Sequence, residues 1–349
     1  MADVKLLSWN IYKFGLHLVN NTTRLNVVLN LVNPPGGPKY DLFVVIEPQI
    51  CNGAVGTLAT GSGVKATKKL RAALHGQSGV NWQVVPPVVL AKSDKREALA
   101  IFFNAGKLTL KGPVDDAKIV KPTWKNAKTK GPSGTWRGKC EFVNSAGTKL
   151  AFPGGPERRP YLATFEIGGQ RFSIIAHHSP KPNYKGTTAP ARNKNARDGT
   201  KKLGEIKELQ TANRTHPVIV VGDFNCCNPG HPSGVGCGQK PIDQDSDAKT
   251  ALTGIGFTSH VSGGSSLKKA TAATATAYTK HAFDYLLTAG GGGKSATVAN
   301  AKVLGVGDLT TGFSAAHNKT KFRPIFKRIR VTKSAGVSDH LPVSANIKI

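Results

Sequence analysis

Val218-Ile-Val-Val-Gly-Asp-Phe-Asn225 is an unbroken β-branched run ending in glycine, followed at once by a carboxylate and, two residues on, by a carboxamide. With no polar alternation it reads as a strand buried on both faces. Such a strand delivers Asp223 and Asn225 to its C-terminal edge, where sheet enzymes tend to hold their chemistry. Many buried strands end in Gly-Asp, so the weight of this one comes from what the rest of the chain adds.

Working outward, other strands end in the same way. Residues 4–10 form a mostly apolar strand finishing in Trp9-Asn10, and residues 41–46 a second buried strand that stops at Glu47. Residues 161–167 and 171–176 read as a hairpin turning at Gly168-Gly169, whose second arm runs into His177-His178-Ser179-Pro180. Strands are also expected at 82–90, 98–103 and 283–287, the last with Asp284 near its start. Ser338-Asp339-His340 precedes a closing strand at 341–349. Helices are expected where Leu25, Val28, Leu29 and Val32 share a face behind the candidate caps Asn21, Thr22 and Thr23, and again at 64–75. A third covers at least the second half of 192–210, with Leu203, Ile206 and Leu209 facing inward.

Composition narrows the class. The chain has 349 residues, 39% of them hydrophobic, which is too apolar for disorder, while its apolar runs are too short to span a bilayer. The formal net charge of +28 favours a polyanionic partner, nucleic acid before an anionic membrane. Much of the excess sits in two blocks. Between residues 111 and 159 lie Lys118, Lys121, Lys125, Lys128, Lys130, Arg137 and Lys139, with Trp124 and Trp136 interleaved, a composition suited to phosphate contact and base stacking or to a solvated loop anchored by two tryptophans. Residues 319–333 hold Lys321, Arg323, Lys327, Arg328 and Arg330 and no acid. Gly293-Lys294-Ser295 imitates a phosphate loop, but Thr288 stands where that motif needs glycine.

The five cysteines (Cys51, Cys140, Cys226, Cys227, Cys237) are odd in number and lack CxxC spacing, which argues against a disulfide framework or a zinc site and for reduced thiols. Met1-Ala-Asp3 leads straight into the first strand, with no charged segment followed by an apolar core. A cytoplasmic product is expected, with delivery outside the cell by another route left open. With neither an internal repeat nor an obvious linker, residues 1–349 are read as one domain carrying basic loop insertions near 111–159 and 289–333.

Six of these pieces together resemble the endonuclease/exonuclease/phosphatase superfamily, and in particular its deoxyribonuclease I-like branch. They are Ser8-Trp-Asn-Ile11, Val45-Ile-Glu47, Ile175-Ala-His-His178, Gly222-Asp-Phe-Asn225, Phe283-Asp-Tyr-Leu286 and Ser338-Asp-His340, in the family's order and spanning nearly the whole chain. Asn10-Ile-Tyr-Lys-Phe-Gly15 and Lys95-Arg-Glu-Ala-Leu-Ala-Ile-Phe-Phe103 carry the similarity to the narrower branch. The chain departs from the pattern at Pro48, at the doubled histidine 177–178, and in the long stretch between Asn225 and Asp284.

The resemblance implies an α/β fold, a four-layer α/β/β/α sandwich of two packed mixed sheets flanked by helices. It implies Mg²⁺, with Mn²⁺ as a substitute, held by Asn10 and Glu47 with Asp339 contributing; such hard oxygen donors suit these ions better than zinc. Asp223 would orient or deprotonate the attacking water and Asn225 would hold a phosphate oxygen. His340 paired with Asp284, and His178 paired with Glu97, would work from opposite sides of the phosphate. His178 is preferred to His177 because His-Ser before the proline matches the family.

The expectation is thus a metal-dependent, sequence-tolerant endonuclease, with DNA favoured over RNA, acting as a monomer without stable membrane association. Arg96, Lys125, Lys128, Lys130, Arg137, Arg323, Lys327 and Arg328 are the expected nucleic-acid contacts. The alternatives are a phosphoinositide or other phosphoester phosphatase of the same fold, or a non-catalytic nucleic-acid-binding protein. The last has no need of the full acid, amide and histidine set.

Overall fold

Two six-stranded mixed sheets are stacked face to face, and each carries helices on its outer side. The structure is a computed structural model that describes residues 2–34, 36, 39–49, 51–91, 96–112, 139–153, 158–180, 189–225, 246–261, 265–267, 279–281, 284–304, 338 and 340–349. In chain order the elements begin with β1 (Asp3–Phe14), α1 (Leu16–Val19), α2 (Thr22–Val32), β2 (Leu42–Pro48), β3 (Cys51–Asn52) and β4 (Thr60–Gly61). Next come α3 (Ser62–Ser78), β5 (Trp82–Val84), β6 (Leu99–Asn104), β7 (Thr109–Gly112), β8 (Tyr161–Ile167), β9 (Gln170–His178) and α4 (Ala189–Glu205). The chain continues with β10 (Val218–Asp223), α5 (Ser246–Thr253), β11 (Thr258–Ser259), β12 (Ser266–Leu267), β13 (Thr279–His281), β14 (Asp284–Ala289), β15 (Thr297–Val303) and β16 (Val343–Lys348).

The first sheet has the order β15-β16-β1-β2-β6-β5 and the second β11-β14-β10-β9-β8-β7. The pairs β1–β2 and β9–β10 are parallel, and the other pairs within these two sheets are antiparallel.

Side-chain alternation divides the core into three apolar layers. Leu7, Trp9, Phe43, Val45, Ala100 and Phe102 face outward from the first sheet onto Val28 and Val32 of α2 and Leu70 and Leu74 of α3. Leu6, Val44 and Ile101 face inward and meet Phe172, Ile174, Ile219, Val221 and Leu286 of the second sheet. The outer face of that sheet, with Ile175, Val218, Val220 and Leu287, packs on Leu203 and Leu252 of α4 and α5. The layer order is therefore α/β/β/α. Each fully buried aliphatic side chain contributes roughly 1.5–3 kcal/mol, and the run that opens β10 supplies both the layer between the sheets, with Ile219 and Val221, and the one under α4 and α5, with Val218 and Val220. Among the described residues, no helix is long and apolar enough to cross a membrane.

Local chemistry sets the element ends. Asn21 caps α2 by accepting from the Arg24 backbone N–H at 3.1 Å, and Asn33 Nδ2 at its other end donates to the Leu74 carbonyl of α3 at 2.9 Å. The strand expected at 82–90 stops at Val84, because Pro86 and Pro87 have no N–H to give to a ladder. In the stretch read as a basic loop from residue 289, β15 adds an edge strand; its mostly exposed residues give no apolar run to reveal it. Cys51 and Cys140 are buried thiols, whereas Cys226, Cys227 and Cys237 lie outside the described residues.

Candidate active site

The site forms where the inward faces of the two sheets end. On β10 the inward set is Ile219, Val221 and then Asp223; on β9 it is Phe172, Ile174, Ala176 and then His178. On β14 Leu286 is inward, which puts Asp284 on the same face, and Leu99 and Ile101 do the same for Glu97 just before β6. Register completes the row: Asp223 pairs with His178 on one side and with Asp284 on the other. Asp223, His178, Asp284 and Glu97 are thus brought to one face, each no more than 9% exposed.

Asp223 is 1% exposed and accepts from the Asn225 backbone N–H at 2.9 Å through Oδ1 and from Asn10 Nδ2 at 2.7 Å through Oδ2. The Asn10 bond crosses from the first sheet to the second. His178 Nε2 and His340 Nε2 each lie 3.6 Å from Asp223 Oδ2, beyond direct hydrogen-bond length, so both rings face the carboxylate across a small gap.

Each histidine has its own acid. His340 Nδ1 meets Asp284 Oδ2 at 2.7 Å, and since the carboxylate accepts, Nδ1 carries a proton. His340 is fixed further by its backbone: its carbonyl accepts from Trp9 Nε1 at 2.8 Å, and its N–H donates to Ser338 Oγ at 2.9 Å. Ser338 Oγ in turn donates to the Asn10 carbonyl. On the other side His178 Nδ1 lies 3.2 Å from Glu97 Oε2, a contact too poorly aligned to count as a hydrogen bond.

Arg158 completes the Glu97 side. It donates from Nη2 to Glu97 Oε1 at 2.9 Å, and from Nη1 to His178 Nε2 and to the Ser179 carbonyl, both at 2.8 Å. A guanidinium only donates, so His178 Nε2 accepts and the ring proton sits on Nδ1, towards Glu97. In the sequence Arg158 stands only inside the basic stretch 111–159, directly before the β8 hairpin, and nothing there marks it as a site residue.

Electrostatics separate the two acids. Burial pushes the Glu97 carboxyl up, but His178 and Arg158 together outweigh it and hold the group below the ordinary carboxylate range. Burial raises Asp284 above that range, with the charge of Asp223 adding to the effect and His340 opposing it. His177, the other member of the doubled pair, alternates onto the outer face and is fully buried there. Burial first, then the neighbouring His178 and Arg158, push it down to about 3, so it stays neutral.

Glu47 is the last residue but one of β2, one position after the Asn10–Ile46 register pair with β1. Its backbone is left-handed (φ +72°), which breaks the alternation of β2, and its Oε1 accepts from Gln49 Nε2 at 2.6 Å. The oxygen donors fit a hard divalent cation. Among the described residues Asn10 Oδ1 is buried with no hydrogen-bond partner, although a buried carbonyl oxygen normally has one, and a carboxylate stands on the adjacent strand. Asp223, Asp284 and His340 also offer ligand atoms within 4.8 Å of one another. Their hydrogen bonds to Asn10, Asn225 and each other make that trio a proton-handling chain first.

The expected residues Asn10, Glu97, His178, Asp223, Asn225, Asp284 and His340 are thus brought together, with Glu47 on the neighbouring strand. Arg96 is exposed and donates from Nη1 to the Gly53 carbonyl at 2.6 Å. Asp339, Lys125, Lys128, Lys130, Arg137, Arg323, Lys327 and Arg328 lie outside the described residues.

No protein-family model and no curated protein matches the sequence. Solved structures do match in fold. An endonuclease/exonuclease/phosphatase family protein from Bacteroides thetaiotaomicron has a TM-score of 0.53 at 14% identity, covering 99% of this chain and 98% of its own. A second, from Bacteroides vulgatus, gives 0.52 at 13% identity with both chains fully covered. A mannosyl-6-phosphatase from Bacteroides thetaiotaomicron gives 0.51 at 15% identity, covering 99% of this chain and 100% of its own.

Proposed function

The chain has the endonuclease/exonuclease/phosphatase fold, that of deoxyribonuclease I, and on that premise we propose that it is a divalent-metal-dependent phosphodiesterase whose substrate is DNA, cut without sequence preference. The observation that carries this reading is Asp223 between two histidines, each 3.6 Å from the same oxygen and each paired with its own carboxylate. A pure binding protein has no use for such a set.

Hydrolysis needs an in-line water, neutralisation of the charge that develops on phosphorus, and a proton for the leaving alkoxide. Asp223, held by Asn10 and Asn225, accepts the proton of the water. The second hydrogen of Asn225 Nδ2 is available to a phosphate oxygen while the first stays on the Ser179 carbonyl at 2.9 Å. His340 presents its imidazole from one side as the acid, and on the other His178, whose Nε2 accepts from Arg158, holds that guanidinium as the stabiliser, a fixed positive charge on the Glu97 side. Glu47, Glu97, Asp223 and Asp284 would otherwise repel an incoming phosphodiester. Asn10 Oδ1 and Glu47 would hold a divalent cation, with Asp339, outside the described residues, as the further expected ligand; such an ion would supply the missing positive charge and polarise the phosphoryl group.

The charge of +28 favours a polyanion followed along its backbone over a small phosphoester, and the basic blocks near 111–159 and 289–333 of a single catalytic domain are the proposed contacts. The test is a substrate panel: supercoiled plasmid, a single-stranded RNA and phosphoinositide vesicles, each with Mg²⁺ and with excess EDTA. Plasmid relaxation that EDTA abolishes is expected. Phosphate release from the vesicles with intact plasmid would turn the reading to a phosphatase, and no hydrolysis anywhere would turn it to a binding protein.

A further inference from the structure

The doubled histidine leaves one imidazole that the mechanism does not use. His177 is fully buried on the outer face of the second sheet, its ring centroid 5.6 Å from that of Phe224 and 6.2 Å from that of Phe152. Phe224 stacks in turn on Tyr285 at 4.7 Å. In this apolar setting the ring's Nε2 meets Ser179 Oγ at 2.7 Å, while Nδ1 has no hydrogen-bond partner among the described residues. Ser179 Oγ donates onward to the Ala196 carbonyl of α4 at 3.4 Å, so Nε2 is the ring atom that carries the proton. A leucine or phenylalanine would satisfy packing here without burying a ring nitrogen, and burying polar groups costs stability unless they are used.

What the contact fixes is Ser179, a junction of the catalytic centre. Its backbone N–H donates to the Asp223 carbonyl at 2.9 Å. Its own carbonyl accepts from Asn225 Nδ2 at 2.9 Å and from Arg158 Nη1 at 2.8 Å. Asn225 is also held in a left-handed backbone (φ +51°), so the amide that is to meet a phosphate oxygen depends on tertiary contacts for its aim. From the far side Gly199 of α4 lies close, a Cβ there being only 3.5 Å from Ser179 Oγ and 3.6 Å from His177 Nε2.

We propose that His177 is a positioning residue: a neutral hydrogen-bond donor behind the second sheet that sets Ser179, and through the Ser179 carbonyl aims Asn225 and Arg158 at the substrate phosphate. The inference rests on the phosphodiesterase reading for its kinetic consequence but not for its structural one. Neutrality follows from burial, which keeps the ring unprotonated down to about pH 3.

The test compares His177→Leu, which fills the space without a donor, with His177→Gln, which restores an N–H. Plasmid cleavage by His177→Leu should show kcat lowered about tenfold with KM nearly unchanged, because a misaimed amide acts in the transition state, and His177→Gln should recover most of it. In an Asn225→Ala background the same His177→Leu change should cost no more than about threefold, since part of its target is gone. In ¹⁵N-asparagine-labelled protein the side-chain amide pair of Asn225, assigned by its loss in Asn225→Ala, should shift in His177→Leu and return in His177→Gln. If His177→Leu does not fold, Ser179→Ala, which removes only the hydroxyl, carries the same measurements. Unchanged kcat, equal losses in both backgrounds, or an unmoved Asn225 amide would overturn the proposal. A wild-type chain that cleaves nothing would sink the phosphodiesterase reading and leave the amide shift to decide this one.

Discussion

Replacing Asp223 by asparagine is expected to lower kcat for plasmid cleavage on the order of a thousandfold, with little change in thermal stability. The proton acceptor disappears, and positioned general bases contribute roughly 10²–10⁴ in rate. A second loss follows from the bonding pattern. Asn225 N–H donates to Oδ1 and Asn10 Nδ2 to Oδ2, so an amide at 223 leaves one of its own donors facing another donor. Asn10 relieves this by turning its amide over, which swings Oδ1 away from the cation it is proposed to hold. Asp223→Asn should therefore also raise the Mg²⁺ concentration needed for half-maximal rate. Folding is spared because Asp223 is one of the charges that push Asp284 up, and removing it relieves a buried repulsion. A variant that keeps more than a tenth of the wild-type rate would contradict the assignment.

The second large effect is on stability. Gly222 has φ +149°, and a Cβ built there would lie 1.9 Å from the His177 carbonyl oxygen and 2.9 Å from His177 N and C. These are backbone atoms of β9, so nothing flexible can move aside; β9 and β10 must part where Asp223 pairs with His178. Gly222→Ala should cost more than about 4 kcal/mol, seen as a fall of roughly 10 °C or more in melting temperature or as failure to accumulate folded protein. Gly79 is the control. It too is left-handed (φ +69°), at the C-terminus of α3, but nothing lies within 4 Å of its Cβ position. Gly79→Ala should therefore cost only about 1 kcal/mol. Equal melting temperatures for the two variants would mean that β9 and β10 do not approach as closely as described.

The same glycine shows why much of the site could be read from sequence. The β10 run had to be a buried strand, and a Gly-Asp ending had to bring a carboxylate to its edge. Alternation then carries further than strand ends alone: with Phe172, Ile174 and Ala176 facing the other sheet, His178 must face it too and His177 must not. Arg158 was out of reach because its role depends on meeting Glu97, distant in sequence and on the other sheet. Gln49 escaped notice because a neutral amide after Glu-Pro carries no chemical signature of its own. At β5, the apolar character of 82–90 promised a longer strand than Pro86 and Pro87 permit. For β15 there was no pattern to read, since an exposed edge strand selects for neither apolar runs nor clean alternation.

The centre is most directly tested by initial rates of plasmid nicking in Mg²⁺ for wild type, His178→Ala and His340→Ala under one set of conditions. Two imidazoles aimed at the same phosphate from opposite sides should each be worth roughly a hundredfold or more, so both single variants should lose nearly all activity while remaining folded. A wild-type chain that leaves plasmid supercoiled, or either variant nicking as fast as the wild type, would contradict a catalytic centre at Asp223.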